Sequence, residues 1–176
     1  MNVVGFCGAS GVGKTTLIAA LIMELKGRGQ RVSVIKHAHK RFDIDQPGKD
    51  SHRHREAGAF EVLIASGQRL AKMREYEVEG QPTVHQLIAE LIDCDWVLVE
   101  GFKHADICKI EVWRAALEHD PGYEHDPFVV AVATDAPLAL PVATGRPVFD
   151  MTAVPEIASY LLSQTQRFEY LAPDHG

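Results

Sequence analysis

Residues 2–7, Asn-Val-Val-Gly-Phe-Cys, form a short apolar run of β type. From Leu17 the period changes. Leu17, Ile18, Leu21, Ile22 and Leu25 recur at spacings of three and four, which predicts a helix, and Gly27-Arg28-Gly29-Gln30 stops it. Arg31–His37, RVSVIKH, supplies a second strand, so the first fifty residues predict a βαβ unit whose sheet is covered by helices. The polar, charged stretch from His37 to Gly58 is broken by Pro47 and Gly48, and predicts a long loop followed by a short helix. Loops of that length inside compact domains are functional or disordered.

FEVLIAS (60–66) and RLAKMREY (69–76) flank Gly67-Gln68 and read as a hairpin. Beyond Pro82, Thr83 and Gln86 form a capping-box pair, and Val84, Leu87, Ile88, Leu91 and Ile92 give a helical stripe. DWVLVEGF (95–102) and FVVAVATD (128–135) are continuous apolar strands that end on Glu100 and Asp135, with KIEVWR (109–114) a further strand candidate. GYEHDP (122–127) reads as a loop, and a last helix is expected from about Pro155, with Ile157, Ala158, Leu161, Leu162 and Phe168 on its apolar side. There is no internal repeat. The pattern predicts one domain over 1–170 and a frayed tail over 171–176.

At 176 residues and 46% hydrophobic, the chain can bury one substantial core, with room for an inserted hairpin or arm. A formal net charge of −6 argues against wrapping nucleic acid or lying on an anionic membrane, since either needs surplus cations. Any bound anion must be held by local groups. Three scattered cysteines, Cys7, Cys94 and Cys108, suggest neither a disulfide framework nor a paired zinc motif, and read as core or near-core thiols. No basic segment precedes VVGFC and no apolar run approaches about 18 residues, so the expected address is the cytoplasm.

Between the first strand and the first helix stands GASGVGKTT (8–16), in which Gly8, Gly13, Lys14 and Thr15 match G-x-x-x-x-G-K-[ST]. Glycines are needed there because the backbone N–H groups must turn inward as an anion nest that a Cβ would block. The helix start adds unsatisfied donors and about half a positive charge. Lys14 then faces the β- and γ-phosphates, and the Thr15 hydroxyl ligates Mg²⁺. Strand, loop and helix are the context this motif demands, which favours phosphate binding over a turn made for packing.

A phosphate loop needs a second acidic group to hold Mg²⁺ through water. Glu100 at the end of WVLVE supplies it, either in that role or by positioning a water. Asp135 ends another buried strand, where ligands of open α/β sheets sit. It can accept from guanine N1–H and N2–H₂ and select GTP over ATP. The competing reading is a plain Asp-Ala-Pro turn. The loop from Lys36 to Arg55 mixes His37, His39, His52 and His54 with cations and with Asp43, Asp45 and Asp50. No element fixes a zinc geometry, which favours a phosphate-facing loop in which an aspartate such as Asp45 touches Mg²⁺.

GxSGxGKTTL, VIKHAHKRFDIDQPGKDSHRHREAGA and VLVEGFKH together resemble the molybdopterin-guanine dinucleotide biosynthesis adapter proteins, the MobB family. The likeness runs from the phosphate loop through Trp113 and more weakly through VVAVATDAPL, and its specific part is the middle stretch. The resemblance implies an α/β P-loop NTPase fold, a three-layer mostly parallel sheet flanked by helices with extra β-hairpins, working as a homodimer. It also implies GTP and Mg²⁺ as cofactors, slow hydrolysis, and assistance to the molybdopterin guanylyltransferase. Carried onto this chain, Ser10, Gly11, Val12, Gly13, Lys14, Thr15 and Thr16 would bind the phosphates, and Thr15 with Glu100 would serve the metal. The loop DIDQPGKDS would face the nucleotide or molybdopterin, and extra hairpins such as KIEVWR would build the dimer sheet.

Related dimeric ATPases carry a second lysine just upstream in the loop, where this chain has Ala9. That departure fits weak intrinsic turnover. Two other readings use the same scaffold: a metallocentre-maturation GTPase drawing on the histidine-rich loop, and a small-molecule kinase with Asp45 or Asp50 as base.

Overall fold

The computed structural model describes residues 1–38, 42–78, 80, 82–117 and 119–173. Its contacts divide into two compact units, Met1–His37 with Thr83 onwards, and Ala38–Pro82. In chain order the elements are β1 (Asn2–Cys7), α1 (Lys14–Gly27), β2 (Val32–Lys36), α2 (Asp50–Glu56), β3 (Glu61–Ala65), β4 (Leu70–Arg74) and α3 (Val84–Ala89). There follow β5 (Trp96–Glu100), β6 (Lys109–Trp113), β7 (Val129–Thr134), β8 (Val148–Asp150), α4 (Val154–Ser163) and α5 (Thr165–Phe168).

The first unit is a parallel sheet in the order β2-β5-β1-β6-β7-β8. Period-two alternation sends successive side chains of β5 to opposite faces. Trp96 and Leu98 join Val4 and Phe6 beneath α1, α4 and α5, where Leu17, Ile18, Leu21, Leu25, Ile157, Leu161 and Phe168 close the core. Val97 and Val99 pack on the other face with Val3, Ile35 and the α3 residues Val84 and Ile88. Both faces are therefore dry, which is why β5 and β7 are apolar almost throughout rather than alternating. This is the expected three-layer α/β architecture.

β6 overturns one expectation. KIEVW does not form an accessory hairpin for a dimer sheet; it is an interior strand lying parallel between β1 and β7, with all five residues buried. Lys109 and Glu111 are charged residues inside the sheet, and both have partners there. Lys109 Nζ donates to the carbonyls of Lys103 (2.9 Å) and Ala105 (2.7 Å) and pairs with Asp126 at 2.7 Å. Glu111 accepts the backbone amides of Gly122 (2.7 Å) and Tyr123 (2.6 Å). Burial pushes the Glu111 carboxyl above its ordinary range against those two bonds.

Other differences are local. The α3 stripe ends at Ala89, and Ile92 is exposed. β8 has only three residues, too few for a periodic signal. The capping box forms: the Gln86 amide donates to Thr83 Oγ1 (3.2 Å) and the Thr83 amide to Gln86 Oε1 (2.9 Å). All three cysteines are free, and burial, reinforced by Glu111, pushes the Cys7 thiol up to about 12. Among the described residues no helix is long and apolar enough to cross a membrane.

The second unit holds α2 and the antiparallel β3-β4 hairpin. Its order comes from charge. Arg55 pairs with Asp43 (3.0 Å), Asp45 (3.1 Å) and Glu75 (2.7 Å), while Glu61 takes Arg74 at 2.7 Å and Lys72 at 3.3 Å. Leu63 and Leu70, on one face of the hairpin, are exposed.

Candidate functional site

Between β1 and α1 the chain makes a loop whose glycines have different reasons to be glycine. Gly8, Gly11 and Gly13 all adopt positive φ, at 129°, 78° and 104°. At Gly8 a Cβ would lie 2.2 Å from the Val112 carbonyl oxygen of β6, a backbone atom that cannot step aside. Val12 anchors the loop by burying its side chain completely, while Ser10 and Gly11 stay exposed.

Gly13 is the N-cap of α1 in left-handed conformation, with no side-chain cap and no acidic residue in the first turn. The helix start thus leaves its N–H donors, from Lys14 through Thr16, to something other than a capping side chain. An anion is the natural partner. Lys14 folds back over the loop, and its Nζ donates to the carbonyls of Gly8 (2.9 Å) and Ala9 (2.7 Å). Burial lowers the Lys14 pKa, with Glu100 pulling the other way.

Register builds the second half of the site. Phe6 pairs with Glu100, and Glu100 with Lys36, so the carboxyl ends of β1, β5 and β2 lie side by side. The Thr15 hydroxyl donates to Glu100 Oε1 at 2.7 Å. Lys36 Nζ stands 3.3 Å from the same oxygen and 3.5 Å from Thr15 Oγ1. A hydroxyl and a carboxylate converging on one point are hard oxygen donors suited to Mg²⁺, which keeps several waters. The sequence marks Lys36 only as one cation of a phosphate-facing loop; strand pairing gives it Glu100 as its partner. Past Glu100 the chain turns sharply, with Gly101 at φ 95° and Phe102 at φ 49°. A Cβ on Gly101 would meet His37 Cβ at 2.8 Å.

Asp135 is the first residue beyond β7, and Arg114 the first beyond β6. The turn after β7 is closed by Thr134, whose Oγ1 accepts the Ala136 amide at 3.1 Å. The Asp135 carboxylate instead stands 4.0 Å from Arg114 Nε. Asp45 belongs to the second unit, where it accepts from the Ser51 hydroxyl (2.8 Å) as well as from Arg55. Burial raises its pKa, but the Ser51 and Arg55 bonds outweigh it and hold the carboxyl below its ordinary value. His52 and His54 lie on α2, and His39 falls outside the described residues. Among the described residues no three His, Cys, Asp or Glu side chains gather as a metal site.

A family model described as molybdopterin guanine dinucleotide synthesis protein B, MobB, matches residues 3–135. The chain is 42% identical to the molybdopterin-guanine dinucleotide biosynthesis adapter protein of Escherichia coli K12, with 92% of each covered. It is 41% identical to the protein of the same name from Haemophilus influenzae, over 93% of this chain and 89% of the relative. A crystal structure of molybdopterin-guanine biosynthesis protein B superposes with a TM-score of 0.69 at 30% identity, covering 92% of this chain and 98% of that one. The Bacillus subtilis MobB crystal structure has a TM-score of 0.71 at 22% identity, over 94% of this chain and 98% of that one, which supports the fold. With the strand-loop-helix cradle and the parallel order of the sheet, these likenesses place the fold among the P-loop NTPases, and the chain belongs to the MobB family.

Proposed function

We propose that this protein is a GTP-binding adapter that assists formation of molybdopterin guanine dinucleotide alongside a molybdopterin guanylyltransferase. The observation that carries the reading is the meeting of Thr15 and Glu100 at 2.7 Å beside an uncapped helix start. Phosphates would take the amides from Ser10 to Thr16, with Lys14 exchanging its two loop carbonyls for phosphate oxygens. Thr15 and Glu100 would hold Mg²⁺, which supplies charge neutralisation on the phosphates. Glu100 could also orient the attacking water. Asp135 would read the base. The names of the relatives supply the biosynthetic setting.

Turnover is expected to be slow, because a phosphate loop without an arginine finger supplied in trans runs about 10³- to 10⁵-fold below its assisted rate. A homodimer is supported by the exposed Leu63 and Leu70, since a two-stranded hairpin with apolar residues in water gains from a partner surface.

Calorimetric titration of the full chain with GTP and ATP, each with Mg²⁺ and with EDTA, tests the core of this reading. GTP is expected to bind more tightly than ATP and to weaken in EDTA, with hydrolysis that rises only when the guanylyltransferase is added. Failure to bind either nucleotide would remove the reading. A high unassisted hydrolysis rate would remove the adapter part.

A further inference from the structure

We infer that Arg114 is a positioning residue that sets base specificity: its guanidinium lies against the phosphate loop and holds the Asp135 carboxylate where a guanine base is read. The inference rests on the nucleotide-binding reading above and deepens it.

The sheet brings the two residues together. Trp113 and Thr134 are register partners at the ends of β6 and β7, so Arg114 and Asp135 leave adjacent strands side by side. The guanidinium then reaches toward the phosphate loop. Its Nη2 lies 3.4 Å, and its Cζ 3.9 Å, from where a Cβ on Gly13 would sit. The left-handed φ is what requires glycine at Gly13; the guanidinium lies in ordinary contact range of that position, beside Met151 Cε at 3.2 Å.

Arg114 Nε is buried and, among the described residues, has no hydrogen-bond partner. Asp135 Oδ2, at 4.0 Å, is too far for a hydrogen bond but within ion-pair range. Both side chains are about two-fifths exposed, at 42% and 39%, so one edge of the carboxylate remains open to a ligand. Arg114 follows a buried strand yet is too exposed to serve the core, so packing alone does not account for it.

The consequence follows from donor and acceptor chemistry. Guanine offers N1–H and N2–H₂ as neighbouring donors, whereas adenine presents the N1 lone pair at the corresponding edge. A carboxylate fixed to accept from both donors favours guanine and opposes adenine. A carboxylate free to rotate discriminates less, because orienting it must be done at binding. A guanidinium lying against the phosphate loop restrains Asp135, so phosphate and base recognition share one support.

The test compares Mg·GTP and Mg·ATP binding to the full-length wild type, Arg114→Gln, Arg114→Lys, Asp135→Asn and the Arg114→Gln/Asp135→Asn pair. Thermal melting serves as a control for folding. The expected result is a GTP-to-ATP preference that falls by about tenfold in Arg114→Gln, the size of one interaction of ~1.4 kcal/mol, while ATP affinity changes little. Arg114→Lys should fall between, and Arg114→Gln should cause no further drop in the Asp135→Asn background. Equal loss of GTP and ATP at an unchanged preference would make Arg114 a phosphate contact and overturn the inference alone. Wild-type preference with no change in any Arg114 variant would overturn it equally. A wild type that binds both nucleotides without preference would overturn it together with the base-reading role of Asp135.

Discussion

Lys14 is tied to two carbonyls of its own loop, and those bonds define what its removal should do. Lys14→Ala sacrifices two hydrogen bonds at a half-buried position, a stability loss of about 1–2 kcal/mol. Triphosphate affinity should fall much further, by roughly a hundredfold, since a charge-assisted contact is lost. Scanning fluorimetry with and without GTP checks both, and a collapse of the melting temperature with binding retained would contradict the cradle. Gly8 behaves oppositely. A Cβ 2.2 Å from the Val112 carbonyl oxygen forces β1 and β6 apart, so Gly8→Ala should cost more than about 3 kcal/mol and reduce the yield of folded protein. At this scale the sequence was most readable at residues 8–16, where residue type and geometry coincide. Lys36 was readable only as one cation of a phosphate-facing loop and Arg114 not at all; each is recruited by strand pairing with a distant partner, Glu100 for one and Asp135's strand for the other.

Among the elements, β6 shows why alternation misleads. Its Lys-Ile-Glu-Val-Trp pattern alternates charged and apolar residues, and the loop carbonyls, the Asp126 carboxylate and the amides that receive Lys109 and Glu111 explain its place inside the sheet. Glu111→Ala should leave the Gly122 and Tyr123 amides without their acceptor, the second of them buried, costing about 1–3 kcal/mol in urea denaturation. The pH dependence has a definite sign. The folded Glu111 carboxyl is raised above its ordinary 4.5, so its contribution to stability is fully present below that value and is lost as pH rises through the folded pKa. Glu111→Gln should therefore flatten the decline in the urea midpoint over that window, whatever its overall cost. The α3 cap is simpler and was legible in full. Thr83→Ala should lower stability by about 1 kcal/mol, because the Gln86 amide loses its acceptor while the residue-83 amide keeps Gln86 Oε1.

For the whole molecule, apolar strand runs and helical stripes were enough to predict a parallel sheet covered on both faces, since few architectures bury such strands. What the pattern could not convey is the chain's division at Ala38–Pro82, where α2 and β3-β4 are held by Arg55, Glu61 and their charged partners rather than by a dry core. Ion pairs leave no periodic trace. If the hairpin face bearing Leu63 and Leu70 meets a second copy, Leu63→Glu combined with Leu70→Glu should weaken self-association by at least about tenfold in sedimentation equilibrium. Nucleotide affinity per chain should be unchanged.

The uncapped beginning of α1 has a further consequence. A helix with neither a capping hydroxyl nor an early carboxylate opens readily at that end, so the amides of Thr15 and Thr16 should exchange with deuterium quickly in the free protein. A bound triphosphate closes the same turn, and the largest gain in protection should appear there rather than in the sheet. Ligand and helix then stabilise one another, and the first turn of α1 becomes a reporter of occupancy.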